Sequence, residues 1–169
     1  NDEIESIVNG AAFRSTSAAM ITRVGLANYF AAALLMPYEP FLNAARATRY
    51  DAERLANMFG TSFEQVGHRL STLQRPNARG VPFYFVRVDR AGNIIKRHSS
   101  TRFQFARFGG TCPLWNVHQA FENGDRTSVQ IAEMPDGIRY VCIARQADKA
   151  ISSHLAPPRH YALGIGCEI

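Results

Sequence analysis

The stretch VPFYFVRVDRAGNIIKR, Val81 to Arg97, decides the class of fold. From Pro82 to Val88 it is aromatic and β-branched, which suits a half-buried pleated strand. Asp89-Arg90-Ala91-Gly92-Asn93 supplies turn residues, and Ile94 to Arg97 resumes the extended pattern, so the segment predicts a β-hairpin. Downstream, Arg102 to Phe108 alternates, with Phe103 and Phe105 on one side and Gln104 on the other, and predicts a third strand. Gly109-Gly110 interrupts it, Thr111 offers a cap, and Pro113 to Phe121 reads as one amphipathic helix. Thr127 to Met134 and Ile138 to Gln146 flank Pro135-Asp136-Gly137 as a second hairpin. Asp148 to Pro158 reads as a mobile connection, and a last strand runs from His160 towards Cys167.

Three strands, a helix and three strands in that order predict an α+β fold, an antiparallel sheet packed by a helix. PAS and GAF sensor domains have this PAS/GAF-like arrangement, with a ligand held between sheet and helix.

Upstream the period changes to helical. Met20 to Met36 places Val24, Ala27, Phe30, Ala31 and Leu34 three and four apart, one apolar stripe along a helix that Pro37 ends. Glu39 to Ala47 suits a second helix with Pro40 in its first turn, where a missing N–H does no harm. Asp51 caps a third, Ala52 to Phe59, which stops at Gly60; Thr61 with Glu64 reads as a capping box opening a fourth, to about Leu73. Gln74 to Gly80 has no periodicity and carries Pro and Gly, so the expected boundary divides a helical subdomain, 1–75, from a sheet domain, 76–169.

Hydrophobic residues at 46% and charged residues at 20% describe a chain with a core of its own. Cys112, Cys142 and Cys167 are odd in number and form no CxxC pair, the usage of buried thiols in a reducing compartment. The sequence carries no signal-peptide pattern. Its longest apolar run, Leu26 to Tyr38, is too short for a bilayer and is interrupted by Asn28 and Pro37, so a cytoplasmic protein off the membrane is expected. The net charge is +5, and of 19 basic residues only Lys96 and Lys149 are lysine. Between Arg79 and Arg107 stand Arg79, Arg87, Arg90, Lys96, Arg97, Arg102 and Arg107 against the single acid Asp89. That bias fits either a polyanionic ligand or a solvated strand face.

Catalytic patterns are absent from the sequence. His68, His98, His118, His154 and His160 show no HExxH spacing, and there is no GxGxxG, Walker-type loop or GxSxG. Cys112 and His118 offer a thiol and a base without an acid or oxyanion motif to support them. The stretch AERLANMFGTSFEQVGHRL, Ala52 to Leu70, has the rhythm of a helix-turn-helix, but its second helix opens on Ser62, Phe63, Glu64 and Gln65. That is a poor phosphate-facing surface, and a pair of packing helices is expected instead. No metal site and no catalytic residue are expected.

ANYFAAALLMP (Ala27 to Pro37), followed by Tyr50-Asp51, Arg54-Leu55-Ala56-Asn57 and the helices to Leu70, resembles the rear half of an ImmA/IrrE-type metallopeptidase domain. The HExxH stretch of that family is not in this sequence, and Val24 stands where its third, acidic, ligand belongs, so the resemblance carries no peptidase activity. The blocks LQRPNARGVPFYFVRVDRAGNIIKRHS, GGTCPLWNVHQAF, AEMPDGIRY and ALGIGC resemble the C-terminal domain of the short-chain fatty acyl-CoA transcription regulators, in the same order. That resemblance implies a non-enzymatic domain with acyl-CoA as effector and no required cofactor. It also implies control of fatty acid, propionate and glyoxylate metabolism genes, with DNA read by a helix-turn-helix domain absent from this sequence. The family's Cys-rich tail, which can hold a metal or iron–sulfur centre, is likewise expected to lie beyond it, and a homodimer is the expected assembly.

Coenzyme A needs cations for its phosphates, a face for adenine and a dry slot for the acyl chain. The residues expected to supply them are Arg87, Arg97, Arg102, Phe103, Phe105, Trp115, His118, Tyr140 and Arg145. The alternatives are a protein-interaction or dimerisation module without a small ligand, and a thiol enzyme using Cys112.

Overall fold

The computed structural model describes residues 2–105, 112–124, 126–149 and 159–169. By packing, the chain divides into two units, 1–61 and 62–169. The expected boundary at 75/76 marks where helices give way to strands; packing divides the chain earlier, because the helix after Thr61 lies on the sheet.

Unit one holds α1 (Asp2–Gly10), α2 (Thr16–Leu35), α3 (Tyr38–Ala47) and α4 (Ala52–Phe59). Ser15 caps α2 by accepting from the Ala18 N–H, and Asp51 caps α4 by accepting from Glu53 and Arg54 at 3.1 and 3.0 Å. Gly60 ends α4 in the left-handed conformation, φ +61°, which glycine adopts without a steric cost. Phe41 packs edge-on to Phe59 at 5.1 Å, and Met36, Leu42, Ala45 and Leu55 are buried. Arg23 forks onto Glu5 through two 2.6 Å bonds, tying α1 to α2.

The expected apolar stripe on α2 is not a buried face: no α2 residue is buried, and Val24, Phe30 and Leu34 are exposed. Met20, Ile21, Tyr29 and Leu35 are apolar and exposed as well, so the helix has no polar back to set one face apart. By length and composition α2 is long and apolar enough to cross a membrane, which the shorter run counted in the sequence is not. It carries the paired Arg23 within it, and charge inside a bilayer is costly.

Unit two holds α5 (Phe63–Leu70), β1 (Tyr84–Asp89), β2 (Ile94–Ser99), α6 (Asn116–Gln119), β3 (Ser128–Glu133), β4 (Arg139–Lys149) and β5 (Arg159–Glu168). All strand pairs are antiparallel, in the order β2-β1-β5-β4-β3, so the last strand sits at the centre. This is the α+β class read from the sequence. On one face Tyr84, Val86, Val88, Tyr140, Cys142, Ala144 and Ala162 form a core with Trp115, Val117 and Ala120. On the other, α5 comes so close that a β-carbon at Gly67 would stand 2.7 Å from Ile165 Cγ2 and 3.1 Å from Phe85 Cδ2. Phe63, Val66, Arg69 and Leu70 of α5 are buried, which leaves no groove-binding surface there.

Four local expectations are corrected. The capping box of α5 is Ser62 with Gln65, one residue beyond Thr61 and Glu64, because Ser62 takes the extended backbone and Glu64 pairs with Arg87. The helix ends at Leu70, where the Ser71 and Thr72 hydroxyls turn back onto the His68 and Arg69 carbonyls. Residues 102–105 form no strand; the N–H groups of Arg102 and Phe103 find side-chain acceptors, Glu168 and Thr101, instead of a ladder. The helix expected over Pro113 to Phe121 shortens to Asn116–Gln119, since Trp115 is extended and Asn116 is bonded into the sheet through Gln130 and the Cys142 carbonyl. Thr111, the remainder of the expected third strand from 106, and the connection from 150 to 158 lie outside the described residues.

The second face carries a testable titration. His68 packs edge-on to Phe85 and 5.9 Å from His98, and the Ser71 hydroxyl lies 3.0 Å from His98 Nδ1. Burial, then the charges of Lys96, His98 and Arg69, hold His68 down to about 4. Unfolded, the same imidazole takes a proton near 6.5, so its contribution is complete above that pH and is lost as pH falls towards 4. His68→Gln should therefore flatten the loss of stability between pH 7 and 4.5 by about 2 kcal/mol after solvent screening, read by urea unfolding. On the first face, a β-carbon at Gly166 would come within 2.6 Å of the Tyr84 ring and hydroxyl. Gly166→Ala should cost about 1–3 kcal/mol as overpacking, checked by the same measurement.

Candidate functional site

The first face of the sheet is not filled to its edge. A cavity of about 440 Å³ opens between three segments: Phe103, Gln104 and Phe105; Cys112, Leu114 and Trp115; and Gln130 to Glu133 of β3 with Met134 after it, beside Cys142 of β4. That volume lies within the usual range for a small-molecule site. The apolar part of the wall is a set of touching rings. Phe103 stacks on Tyr84 at 4.4 Å with 24° between the planes, and lies 5.1 Å from Phe105, 5.2 Å from Tyr140 and 5.5 Å from Trp115. Tyr84 and Tyr140 are buried beneath this layer.

The wall is held in place by polar bonds. Gln130 accepts from the Asn116 N–H at 3.0 Å and donates to the Leu114 carbonyl at 2.9 Å, clamping β3 to the turn before α6. Glu168, at the end of β5, accepts from the Arg102 backbone N–H at 3.0 Å, from its Nη2 at 2.7 Å and its Nε at 3.3 Å. Those bonds hold the Glu168 carboxyl down to about 2. The Tyr140 hydroxyl donates to the same carboxylate at 3.4 Å, and its own pKa is raised, first by burial.

The residues expected to bind a ligand are divided by the sheet. Phe103, Phe105 and Trp115 are wall residues. Arg97 lies opposite Val86 in the ladder, on the cavity side, with its guanidinium 5.8 Å from the Phe105 ring centre. Arg102 is exposed and paired with Glu168, and Tyr140 supports Phe103 from below. His118 packs at the β1–β2 turn, where a β-carbon on Gly92 would stand 3.4 Å from its ring. Arg87 and Arg145 project from the opposite face: Arg87 bonds Glu64 at 2.9 Å and lies over Tyr161 at 4.9 Å, and Arg145 lies over Phe63 at 5.5 Å. Arg107 lies outside the described residues.

Sequence reasoning missed Gln104, Leu114, the β3 residues and the bonds of Glu168 to Arg102. In β3 the alternation misleads, because Val129 and Ile131 are 66% and 68% exposed while Gln130 and Ala132 turn towards the cavity. A polar residue between two apolar ones near a hairpin is the one available hint.

Chemically, the wall offers rings, a methionine, two glutamines, the exposed thiol of Cys112 and the buried thiol of Cys142, with Glu133 as the acidic side chain among the described wall residues. Burial raises the Cys142 thiol, which keeps it protonated and unreactive. The Trp115 Nε1–H is buried without a hydrogen-bond acceptor among the described residues. Among those residues no group of three or more His, Cys, Asp or Glu side chains is gathered as a metal would require.

Two family models match the chain. Residues 72–169 match the model of the short-chain fatty acyl coenzyme A regulator C-terminal family, and residues 3–71 match the IrrE N-terminal-like domain. Over 169 residues the chain is 61% identical to a propionyl-CoA carboxylase regulator of Cereibacter sphaeroides, covering all of this chain and 37% of that protein. It is 50% identical to the HTH-type transcriptional regulators RamB and PrpR of Mycobacterium tuberculosis, covering 99% and 100% of this chain and 35% of each relative. The chain thus spans about a third of the length of these curated relatives. A solved Mycobacterium tuberculosis transcriptional regulator superposes with a TM-score of 0.91 at 51% identity, over 99% of this chain and 51% of that one. The chain belongs to the short-chain fatty acyl coenzyme A regulator family.

Proposed function

We propose that this chain is the effector-sensing part of a bacterial transcription regulator and that it binds a short-chain acyl-coenzyme A in the cavity against the sheet. The observation that carries this reading is an aromatic cavity of about 440 Å³ within the segment that matches the regulator family. Residues 76–169 are the sensing domain, and residues 1–75 are a helical subdomain like the rear of a peptidase domain, with Val24 where the third, acidic, ligand belongs. DNA is read elsewhere in the longer protein, and the chain works as a homodimer in the cytoplasm without a cofactor.

The chemistry of the wall divides the ligand. Phosphates gain nothing beside Glu133, so the neutral acyl and pantetheine end enters between Phe103, Phe105 and Trp115. The Trp115 Nε1–H, otherwise without an acceptor, is available to the thioester carbonyl. Arg97 and Arg102, beside Phe105 and Phe103, meet the phosphates outside. Tyr140 holds Phe103 from below; Arg87 and Arg145, away from the wall, contribute through charge alone, and His118 through its packing at the β1–β2 turn. A buried methylene is worth about 0.8 kcal/mol, about four-fold in affinity, so neighbouring acyl chains are separated by shape more than by attraction. The ligand shifts the regulator only by its difference in affinity for two arrangements of this wall.

The exposed apolar length of α2 favours a second reading, an interaction or dimerisation module with no small ligand. Calorimetry separates the two. Propionyl-CoA and acetyl-CoA should bind with affinities within about ten-fold of each other, and Phe105→Ala should weaken both by about ten-fold. Arg97→Ala should weaken free coenzyme A as well and reduce the dependence of binding on salt. No heat and no thermal shift at millimolar thioester would leave the second reading.

A further inference from the structure

Residues 101–105 cross the aromatic face of the sheet as a strap, without a ladder of their own. Two of their side chains, Phe103 and Phe105, make one wall of the cavity. Thr101 holds the strap locally, accepting from the Phe103 N–H at 3.1 Å, and Phe103 lies flat on Tyr84. Ser99, at the end of β2, bonds the Thr101 N–H and carbonyl at 3.2 Å; beyond Thr101 the polar bonds that tie the strap to the sheet, among the described residues, converge on Glu168, one from the Arg102 backbone and two from its guanidinium. Glu168 is itself fixed, being opposite Tyr140 in the β4–β5 ladder and within reach of that hydroxyl.

We infer that Glu168 is a positioning residue for the cavity: through Arg102 it holds the Phe103–Phe105 strap closed, although its carboxylate is no part of the wall. An extended segment without ladder bonds is kept in place by its side chains, and it belongs to the part of a fold that opens at low cost. Taking away the carboxylate strips the Arg102 N–H of its acceptor and frees the guanidinium, so the open arrangement gains population. The carboxylate stays ionised down to about pH 2, so the latch is set throughout the neutral range. Arg102 is 72% exposed, so concentrated salt screens the pair and loosens the strap in the unaltered chain too. The consequence for acyl-CoA rests on the reading that the cavity is the ligand site; the position of the strap does not.

The chain reports on the strap without any ligand. Trp115 is its single tryptophan, 5.5 Å from Phe103 and 6.2 Å from Phe105. In the full chain Glu168→Ala should red-shift Trp115 emission and raise its quenching by acrylamide about two-fold or more, with far-UV circular dichroism unchanged. Glu168→Asp should restore part of the shielding. Arg102→Ala, at an exposed position, should reproduce the effect even if Glu168→Ala fails to fold, and 1 M sodium chloride should move the unaltered chain the same way. Propionyl-CoA should then bind either variant about ten-fold more weakly, chiefly through faster release. Unchanged Trp115 quenching in Arg102→Ala overturns the inference. Altered quenching in variants of a chain that never binds propionyl-CoA supports the latch and sinks the proposed ligand.

Discussion

The sheet of unit two depends on the place taken by its last strand. β5 lies between β1 and β4, so neither hairpin-like pair is joined to the other until the end of the sequence is in position. Its inward residues are Gly164, Gly166 and Ala162, and the missing side chains are occupied from across the core. A β-carbon on Gly164 would stand 2.6 Å from Val117 and 2.8 Å from Val86, and one on Gly166 would strike Tyr84. The strand is thin on this face so that α6 and the Tyr84 ring can come down onto it. Its far face is the reverse, since Leu163 and Ile165 are buried there and α5 is drawn close through Gly67. Closing such a sheet pairs residues far apart in sequence, a topology that folds slowly because the loop entropy is spent first.

The same strand links fold to site. The cavity exists because the strap crosses the sheet face rather than extending its edge, and the strap lies where it does because β5 ends in Glu168. Phe103 then lies on Tyr84, which in turn needs Gly166 beneath it. A carboxylate at the strand end and a glycine two residues before it thus set the two sides of one aromatic stack.

Much of this was legible in the sequence, and the exceptions share a cause. Helix starts were read well where one side chain decides them, as Asp51 does for α4. They slipped by a residue where two hydroxyls compete, as Thr61 and Ser62 do before α5. The two hairpins were legible because turn residues act locally. The strap was not, because Phe103 and Phe105 alternate as a strand would, and only the long-range acceptor Glu168 tells the two apart. β3 was found as a strand but the part Gln130 plays was not, because a polar residue turns in to bond the α6 turn while the apolar Val129 and Ile131 on either side stay largely exposed. The aromatics Phe103, Phe105 and Trp115 were named for what coenzyme A would need, and they line the cavity. The arginines were found as a charge excess, and a charge excess carries no information about which face of a sheet each one takes.

That last point bears on how an anionic effector meets this domain. Alternation sends Arg87 and Arg145 to the face of α5, where Glu64, Tyr161 and Phe63 engage them, and leaves Arg97 and Arg102 on the side of the cavity. A guanidinium already bidentate to a carboxylate is a weaker phosphate ligand than a free one, because the new bond replaces an old one rather than adding to it. Yet the exchange has a mechanical consequence that a free arginine would lack. If a phosphate takes Arg102, Glu168 releases the strap; if Arg102 stays with Glu168, the strap holds the acyl end. On the proposed acyl-CoA reading, affinity for the two ends of the ligand is coupled through one ion pair. Under the proposed latch, a small change in charge outside the cavity alters the wall within it, and that is the coupling the proposed sensing of a short, weakly distinguished acyl group would use.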